Sequence, residues 1–209
     1  MDQCDVLVVV AHPDDETIWC GATIAALAAA GQRVEVVSAT NGGNPVRRDE
    51  FARACLALGA RPTMFDLADN KRAELSLDDG TLADWLHVLR PSLVLSHGAD
   101  GELHRHRHHT QCAALVARWT RTHDVPFLAF APFDQPREAH DGTLRQRFVS
   151  RWGHAKQAAL AVYVSQATVI ASLAAVCGPS EAFSGTAQAM VRLLALAPDL
   201  ALLDEKNHE

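Results

Sequence analysis

Short apolar runs alternate with helix-like stretches through about two-thirds of the chain. The run over residues 5–10 (Asp-Val-Leu-Val-Val-Val) is typical of a strand covered on both faces, and an alanine-rich helix is predicted over 21–30, ended by Gly31. Residues 134–146 are expected to be irregular, and the tail from Asp199 frayed. The same patterns predict strands over 33–37, 62–67, 91–96 and 127–130, and helices over 47–58, 79–89, 110–122, 153–163, 168–175 and 184–196.

Strands and helices that alternate at this spacing indicate βαβ units, whose strands pair in parallel. We therefore expect an α/β fold with a doubly wound, mainly parallel sheet and helices on both faces. The 209 residues suffice for one domain with a sizeable core, and no internal repeat, low-complexity tract or interdomain linker divides them. The prediction is a single domain over residues 1–209.

The sequence Ala-His-Pro-Asp-Asp-Glu directly follows the first predicted strand, at residues 11–16. In open α/β sheets the carboxyl ends of the strands carry the functional sites. His12 and Asp15, three residues apart in a tight turn, can converge on one metal ion, which leaves Asp14 unligated beside it as a general base. Alternatively, Asp14 and Asp15 stabilise the start of the following helix, an effect of about 0.3–1 kcal/mol for an acidic residue.

A second polar cluster, Gly-Glu-Leu-His-Arg-His-Arg-His-His over residues 101–109, follows the strand predicted at 91–96. A catalytic zinc with two ligands needs a third from the protein and keeps a fourth position for water. His109, at the start of the next predicted helix, is our choice for that ligand, and His106 could lie over the same site without binding the ion. The alternative is a solvated loop that binds metals only incidentally.

Composition bears on the partners and the cellular compartment to be expected. The formal net charge of −6 gives no global field that favours nucleic acid or an anionic membrane. The five cysteines are far apart and form no CxxC pair, so we expect reduced, packed thiols in a cytoplasmic protein. The N-terminus has no basic signal-peptide region, and no apolar stretch is long enough to span a bilayer.

Four segments over roughly residues 5–166 resemble the LmbE-like (PIG-L-type) zinc-dependent N-deacetylases. The most specific is the sequence Ala-His-Pro-Asp-Asp-Glu at residues 11–16, with Gly21 after it. The others, in chain order, are Arg-Arg-Asp-Glu at 47–50 with Ala54 and Leu58-Gly59, His-Arg-His-His at 106–109, and Lys156 with Ala-Ala-Leu at 158–160 and Tyr-Val-Ser-Gln at 163–166.

The resemblance implies a Rossmann-like fold and a single Zn²⁺ bound by His12, Asp15 and His109. It implies that Asp14 is the general base and that a protonated His106 stabilises the oxyanion. Where the family motif has His-Pro-Asp-His, this chain has His-Arg-His-His, so residue 108 is histidine and could replace His109 as the third ligand.

The resemblance also suggests substrate contacts. Arg47 would touch the sugar, as the arginine of the corresponding helix does in the family, and Asp69 is a looser candidate for a second contact. For Arg47 the alternative is a helix-surface charge paired with Glu50.

The function expected from these motifs is removal of an N-acetyl group from a small, N-acetylglucosamine-containing molecule. The closest alternative is an amidase that cleaves a larger acyl group from a glucosaminyl thiol or an antibiotic intermediate. A non-haem iron oxygenase shares the His₂-carboxylate ligand set, and a non-catalytic zinc- or sugar-binding module is a further alternative. A dinucleotide-binding protein would need G-x-G-x-x-G at the first turn. We expect no nucleic-acid or membrane partner, and a homo-oligomer is compatible with the sequence.

Overall fold

The computed structural model describes residues 3–70, 74–75, 87–131 and 143–203. Within these ranges the helices are α1 (Asp15–Ala29), α2 (Pro45–Ala57), α3 (Arg107–Thr122), α4 (Gly153–Leu160), α5 (Ala167–Ser172) and α6 (Ala187–Leu196). The strands are β1 (Val6–Val10), β2 (Val34–Thr40), β3 (Arg61–Leu67), β4 (Leu93–Ser96), β5 (Phe127–Phe130), β6 (Leu144–Ser150), β7 (Ser180–Gly185) and β8 (Leu200–Leu202).

All eight strands form one sheet in the order β3-β2-β1-β4-β5-β7-β6-β8. The first five strands of that order pair in parallel, and the last three add in antiparallel fashion. The expected α/β fold is therefore confirmed, and the sheet is mixed, with a parallel half and an antiparallel half.

β1 lies in the parallel half and is covered on both faces. All five of its residues are buried. Val6, Val8 and Val10 belong to a core with residues of α1, α2, α4 and α6, whereas Leu7 and Val9 face a second core that includes side chains of α3. Helices thus cover both faces of the sheet, as the apolar run at residues 5–10 predicts.

The antiparallel half departs most from the sequence prediction. Residues 144–150 form β6, although the sequence predicts irregular structure up to residue 146. Strand β7 occupies residues 180–185, and the sequence predicts a helix that starts at residue 184. Strand β8 lies in the tail that is predicted to be frayed. These strands lack a continuous apolar run, and their backbone groups are paired only within the folded sheet. The helix predicted over 79–89 lies mostly outside the described residues.

Helix α1 starts at Asp15 instead of residue 21 and contains a break at Cys20, where φ is −146°. The break frees backbone amides in mid-helix. Glu181 of β7 accepts hydrogen bonds from the amides of Ala22 and Thr23 at 2.9 Å, and Nζ of Lys156 lies 3.0 Å from its carboxylate. A fully buried ion pair therefore stabilises the distorted helix.

The cysteines are packed as thiols, as the sequence predicts. All five cysteines are free and buried. Over the described parts of the chain, no helix is both long and apolar enough to cross a membrane.

Candidate metal centre

The first segment of the site is the tight connection between β1 and α1. Asp14 has φ 112° and ψ −32°, a backbone region that residues other than glycine rarely adopt. Its amide donates to Oε2 of Glu16 at 3.0 Å. Its side chain makes no capping hydrogen bond to α1, so the alternative role as an N-cap is not observed for it. Asp14 and Asp15 instead contact different partners.

The second segment follows β4. A π-helical turn covers Gly101–Arg105, and α3 begins at Arg107, three residues before the predicted start. His108 and His109 therefore lie in the first turn of α3, and both are buried. Gly101 has φ +62°, and a Cβ there would lie 2.9 Å from the backbone nitrogen of His106. Glycine is the residue that fits this turn.

The two segments bring His12, Asp15 and His109 together. Nδ1 of His12 lies 3.2 Å from Oδ2 of Asp15 and 3.2 Å from Nε2 of His109, and the last two atoms are 3.3 Å apart. Ligands at about 2.0–2.1 Å from a tetrahedral zinc are about 3.3–3.4 Å from one another. The three donor atoms therefore have the spacing and the chemistry of a zinc site with its fourth position open.

Glu102 supports the His109 side of this triangle. Its Oε2 lies 2.6 Å from Nδ1 of His109, and its Oε1 accepts from the amide of Gly98 at 2.7 Å. Burial would raise the pKa of Glu102, but His97 and His109 lower it to about 2, so it is an ionised acceptor. An acceptor at Nδ1 fixes the ring proton there and leaves Nε2 of His109 as a ligand.

His97, the residue after β4, completes the wall of the site. It is fully buried and stacks on His109 with ring centroids 3.9 Å apart. Its Nε2 accepts from the amide of Ala11 at 2.9 Å, and its Nδ1 lies 3.0 Å from Oε2 of Glu102. Although Nε2 is only 3.4 Å from Oδ2 of Asp15, the backbone bond already uses its lone pair. His97 therefore positions His109 and Glu102, and it is not among the three residues that we expect to bind the metal ion.

The electrostatics of the cluster favour positive charge at its centre. Burial would raise the pKa of Asp15, but His109 and His97 hold it well below its usual range. Burial alone would lower the pKa of His12, yet its hydrogen bonds to Asp15 and Asp69 raise it to about 9. Carboxylates that stabilise a cation in this way suit a divalent metal ion equally.

Asp14 stands beside the triangle without joining it. Its Oδ2 accepts from Nη2 of Arg47 at 3.2 Å, and the same nitrogen donates to the carbonyl of Pro13. Burial raises the pKa of Asp14 to about 8, with a further contribution from Asp15 that Arg47 opposes. A buried carboxylate with a raised pKa has the proton affinity that a general base needs.

Arg47 is held in place from α2 and from the segment after α4. Asn44 caps α2 by accepting from the amide of Arg47 at 3.2 Å. Nη1 of Arg47 lies 3.7 Å from Glu50, whose carboxylate accepts from both the amide and the hydroxyl of Ser165, at 2.7 and 2.5 Å. Arg47 is buried, so the alternative is wrong about the helix surface, although the expected pair with Glu50 is present, and the guanidinium also contacts the predicted base.

His106 lies at the mouth of the site. Its ring centroid is 4.8 Å from that of His12 and 4.7 Å from that of His109. Burial and the neighbouring histidines lower the pKa of His106 to about 4, which favours the neutral imidazole over the protonated form expected from the sequence. Its Nδ1 is buried without a hydrogen-bond partner among the described residues.

Asp69 and His108 lie on the other side of the His12 ring. Nε2 of His12 is 3.0 Å from Nδ1 of His108 and 3.4 Å from Oδ1 of Asp69. Asn41 donates to the second carboxylate oxygen of Asp69 at 2.9 Å. Asp69 is thus at the site, where a substrate could reach its half-exposed side chain. His109, not His108, completes the triangle with Asp15.

Two residues of this arrangement are not assigned by the sequence, namely His97 and Glu102. Both carry signals that could have identified them. His97 directly follows a buried strand as His12 nearly does, and Glu102 is an acid within the histidine-rich cluster. The sequence does not show which residues they contact, because the hydrogen bonds of His97 with Ala11 and of Glu102 with His109 form only in the folded chain.

Comparison with known sequences gives a family match. The chain matches the family described as PIG-L: GlcNAc-PI de-N-acetylase over residues 7–120. The 1D-myo-inositol 2-acetamido-2-deoxy-alpha-D-glucopyranoside deacetylase of Corynebacterium diphtheriae is 27% identical over 162 residues, which are 60% of this chain and 55% of that protein. The chain spans about half the length, or less, of the curated relatives it matches.

Solved structures share the fold. A conserved protein from Thermus thermophilus superposes with a TM-score of 0.70 at 22% identity, over 88% of this chain and 94% of that one. The zinc inhibited form of teicoplanin deacetylase gives a TM-score of 0.65 at 16% identity, over 99% and 100% of the two chains. Because the family match covers more than half of the sequence and includes both site segments, the chain belongs to the PIG-L (LmbE-like) GlcNAc-PI de-N-acetylase family.

Proposed function

We propose that the protein is a metal-dependent N-deacetylase that hydrolyses the acetamide of a small N-acetylglucosamine-containing substrate. The observation that carries this proposal is the triangle of Nδ1 of His12, Oδ2 of Asp15 and Nε2 of His109, with sides of 3.2–3.3 Å, next to an unligated Asp14. Family membership supports it, and the named deacetylase of Corynebacterium diphtheriae acts on a 2-acetamido-2-deoxy-glucopyranoside.

His12, Asp15 and His109 would hold the ion. Zinc bound by two imidazoles and one carboxylate supplies Lewis-acid chemistry, in that it acidifies water and polarises an amide carbonyl. A related deacetylase has been described in a zinc inhibited form, so zinc is the first metal to test and its concentration must be controlled.

Asp14 is the proposed general base. It takes a proton from the attacking water and returns that proton to the nitrogen of the leaving amine, which would otherwise depart as an unstable amide anion. The raised pKa of Asp14 suits both steps, since the carboxyl must accept a proton and release it at neutral pH. Arg47 orients the carboxylate through Nη2.

His106 is the proposed stabiliser of the oxyanion. Its lowered pKa makes it a neutral imidazole, which donates one N–H to the oxygen that becomes negative during attack. A donor of this kind contributes about 2.7–4 kcal/mol to the transition state. Asp69, at the open side of His12, is the proposed contact for a sugar hydroxyl.

A larger acyl group is the second candidate, and a cavity favours it. A cavity of about 790 Å³ borders His97 and Glu102 and is lined by small and aromatic side chains that include Ala113, Phe127 and Phe130. His97 and Glu102 both contact His109, so this space lies directly behind the metal centre, and an acyl series tests whether a chain longer than acetyl is accepted.

The proposal is tested by measuring both metal content and product. The protein is stripped with a chelator, loaded with one equivalent of Zn²⁺ or Fe²⁺, and offered N-acetyl, N-butanoyl and N-octanoyl glucosaminides while the released acid and the free amine are quantified. We expect acid release that depends on metal, and the acyl series decides between a deacetylase and an amidase for longer chains. Dioxygen consumption by the Fe²⁺ form without acid release would instead indicate an oxygenase.

Two variants that each remove one acidic side chain distinguish loss of a metal ligand from a general effect of charge. Asp15→Asn removes a proposed ligand, and Asp49→Asn removes an exposed acid on α2. We expect Asp15→Asn to lose both tight metal binding and acid release, and Asp49→Asn to retain both. Metal binding that survives in Asp15→Asn would exclude the proposed ligand set.

A further inference from the structure

The imidazole of His12 has a cluster of potential ligands at each of its two nitrogens. Nδ1 belongs to the triangle with Asp15 and His109, which we call the inner site. Nε2 lies 3.0 Å from Nδ1 of His108 and 3.4 Å from Oδ1 of Asp69, and these two atoms are 3.6 Å apart. We call Nε2 of His12, Nδ1 of His108 and Oδ1 of Asp69 the outer cluster.

The outer cluster repeats the donor set of the inner site. The inner site and the outer cluster each have two imidazole nitrogens and one carboxylate oxygen. Zn²⁺ and other divalent first-row transition metals bind well to this combination of ligands. The distances of 3.0–3.6 Å bracket the value of about 3.3–3.4 Å expected between ligands of a tetrahedral zinc. The donors therefore require only small shifts to surround an ion.

The scaffold holds the outer donors in place. His12 follows β1, His108 is in the first turn of α3, and Asp69 follows β3. The His108 side chain is 1% exposed, and Asn41 holds the second oxygen of Asp69 at 2.9 Å. The Asp69 side chain is 39% exposed, so an ion can enter from solvent and keep water at its open position.

Residue 108 is one of two positions, with residue 107, at which this chain departs from its family motif. The motif reads His-Pro-Asp-His, and the chain has His-Arg-His-His at residues 106–109. The departure places Nδ1 of His108 3.0 Å from Nε2 of His12, the ring nitrogen that faces away from the inner site. A second imidazole donor at this point is therefore a property of this chain's own sequence.

The protonation of His12 differs between a chain that binds one ion and a chain that binds two. With an ion at Nδ1 only, Nε2 carries a proton and donates it to His108 or Asp69, which orients the ring. A second ion at Nε2 replaces that proton, which passes to solvent. Because this proton must be displaced and the two ions repel each other, the second ion binds more weakly than the first.

We propose that the outer cluster is a second divalent-cation site, occupied by Zn²⁺ after the inner site has been filled and bridged to it by His12. An ion there would engage the Asp69 carboxylate and lie at the open side of the inner site. Excess zinc should consequently inhibit turnover; this consequence, unlike the binding itself, rests on the proposed function.

The test counts ions and does not need a substrate. The stripped protein is titrated with Zn²⁺, and stoichiometry and affinities are read by native mass spectrometry and isothermal titration calorimetry. We expect two ions on the unsubstituted chain. His108→Asn keeps an acceptor near Nε2 of His12 but supplies a poor zinc ligand, so it should weaken the second ion by at least about tenfold and leave the first in place.

Asp69→Asn and His154→Asn complete the set. Asp69→Asn should also weaken only the second ion, whereas His154→Asn, which removes an exposed histidine on α4 outside the site, should leave both. Crystals soaked in excess Zn²⁺ should give two anomalous peaks, one on each side of His12. Variants that fold poorly are recognised by loss of the first ion.

Two results would overturn the outer site. One is a chain that binds a single zinc even at a large molar excess, and the other is a second ion that persists in both His108→Asn and Asp69→Asn. If the second ion disappears as expected but no glucosaminide is hydrolysed, the outer site stands and the proposed function fails. If the chain hydrolyses a glucosaminide but never binds more than one zinc, the proposed function stands and the outer site fails.

Discussion

The parallel and antiparallel halves of the sheet contribute to this protein in different ways. In the parallel half, His12 follows β1, His97 follows β4 and Asp69 follows β3, all at one edge of the sheet. In the antiparallel half, Glu181 of β7 is directed into the core, where it meets Lys156 and the broken turn of α1. Parallel strands end at the same edge and concentrate loop residues there, whereas antiparallel strands alternate between edges.

Chemistry and support are thus divided between the two halves. The side chains that can bind an ion or move a proton belong to connections of the parallel half, whereas the buried ion pair at β7 lies in the core, against the middle of α1. Substitutions in the two halves should therefore change different measurements.

Asp14→Asn should give the largest effect, a loss of turnover without a loss of bound metal. Asparagine tolerates the positive φ at this position better than most residues and keeps an oxygen for Arg47, but it cannot accept the proton. We expect turnover to fall by about 100- to 10,000-fold, while the bound zinc per chain is unchanged. Steady-state kinetics and metal analysis on the same sample check this, and retention of full turnover would exclude Asp14 as the base.

Lys156→Met should act on stability instead. The ammonium of Lys156 and the carboxylate of Glu181 are buried and 3.0 Å apart, so removal of one leaves the other charge unpaired. The expected loss in free energy of unfolding is about 3–5 kcal/mol, measured by urea denaturation.

The matched control for Lys156→Met is Arg53→Met. Arg53 and Asp49 form an exposed pair at 3.3 Å on α2, and its loss should cost no more than about 0.5 kcal/mol. Folded Lys156→Met protein should bind zinc with the affinity of the unsubstituted chain. A variant that is stable but fails to bind zinc would break the division between the two halves.

Glu102→Gln should give the smallest of the three effects, on metal affinity. The amide keeps the shape of the side chain, but it is a weaker acceptor for the N–H of His109 than the carboxylate at 2.6 Å. We expect zinc to bind about 10- to 100-fold more weakly, with stoichiometry retained at saturating metal. Competition with a chromophoric chelator measures this, and an unchanged affinity would mean that Glu102 does not position the ligand.

The sequence was most informative where function and local structure coincide. His12, Asp14 and Asp15 lie within four residues and directly follow an apolar strand, so their placement at a sheet edge follows from the run at residues 5–10. The inner-site triangle also contains His109, the predicted third donor. The roles of these residues in binding and catalysis remain predictions.

The sequence was less informative about residues whose environment depends on distant contacts. Arg47 is expected at a substrate or on the helix surface; the structure places it in the interior, where its guanidinium reaches Asp14 across 33 positions of sequence, and the substrate contact stays a prediction. The strands β6, β7 and β8 escape prediction because their sequences have no strong period-two or apolar pattern. Their pairing with β5 and with one another forms only in the assembled sheet.

The sequence by itself determined the α/β class, the central strand and the pair of acids that follows it, because these depend on residues that are neighbours in the chain. The tertiary structure decided which histidine completes the triangle and which residues support it. His12 and His109 are 97 positions apart and meet because β1 pairs in parallel with β4, with Val9 opposite Ser96. That register decides which loop residues meet at the sheet edge, and only the packed sheet and helices determine it.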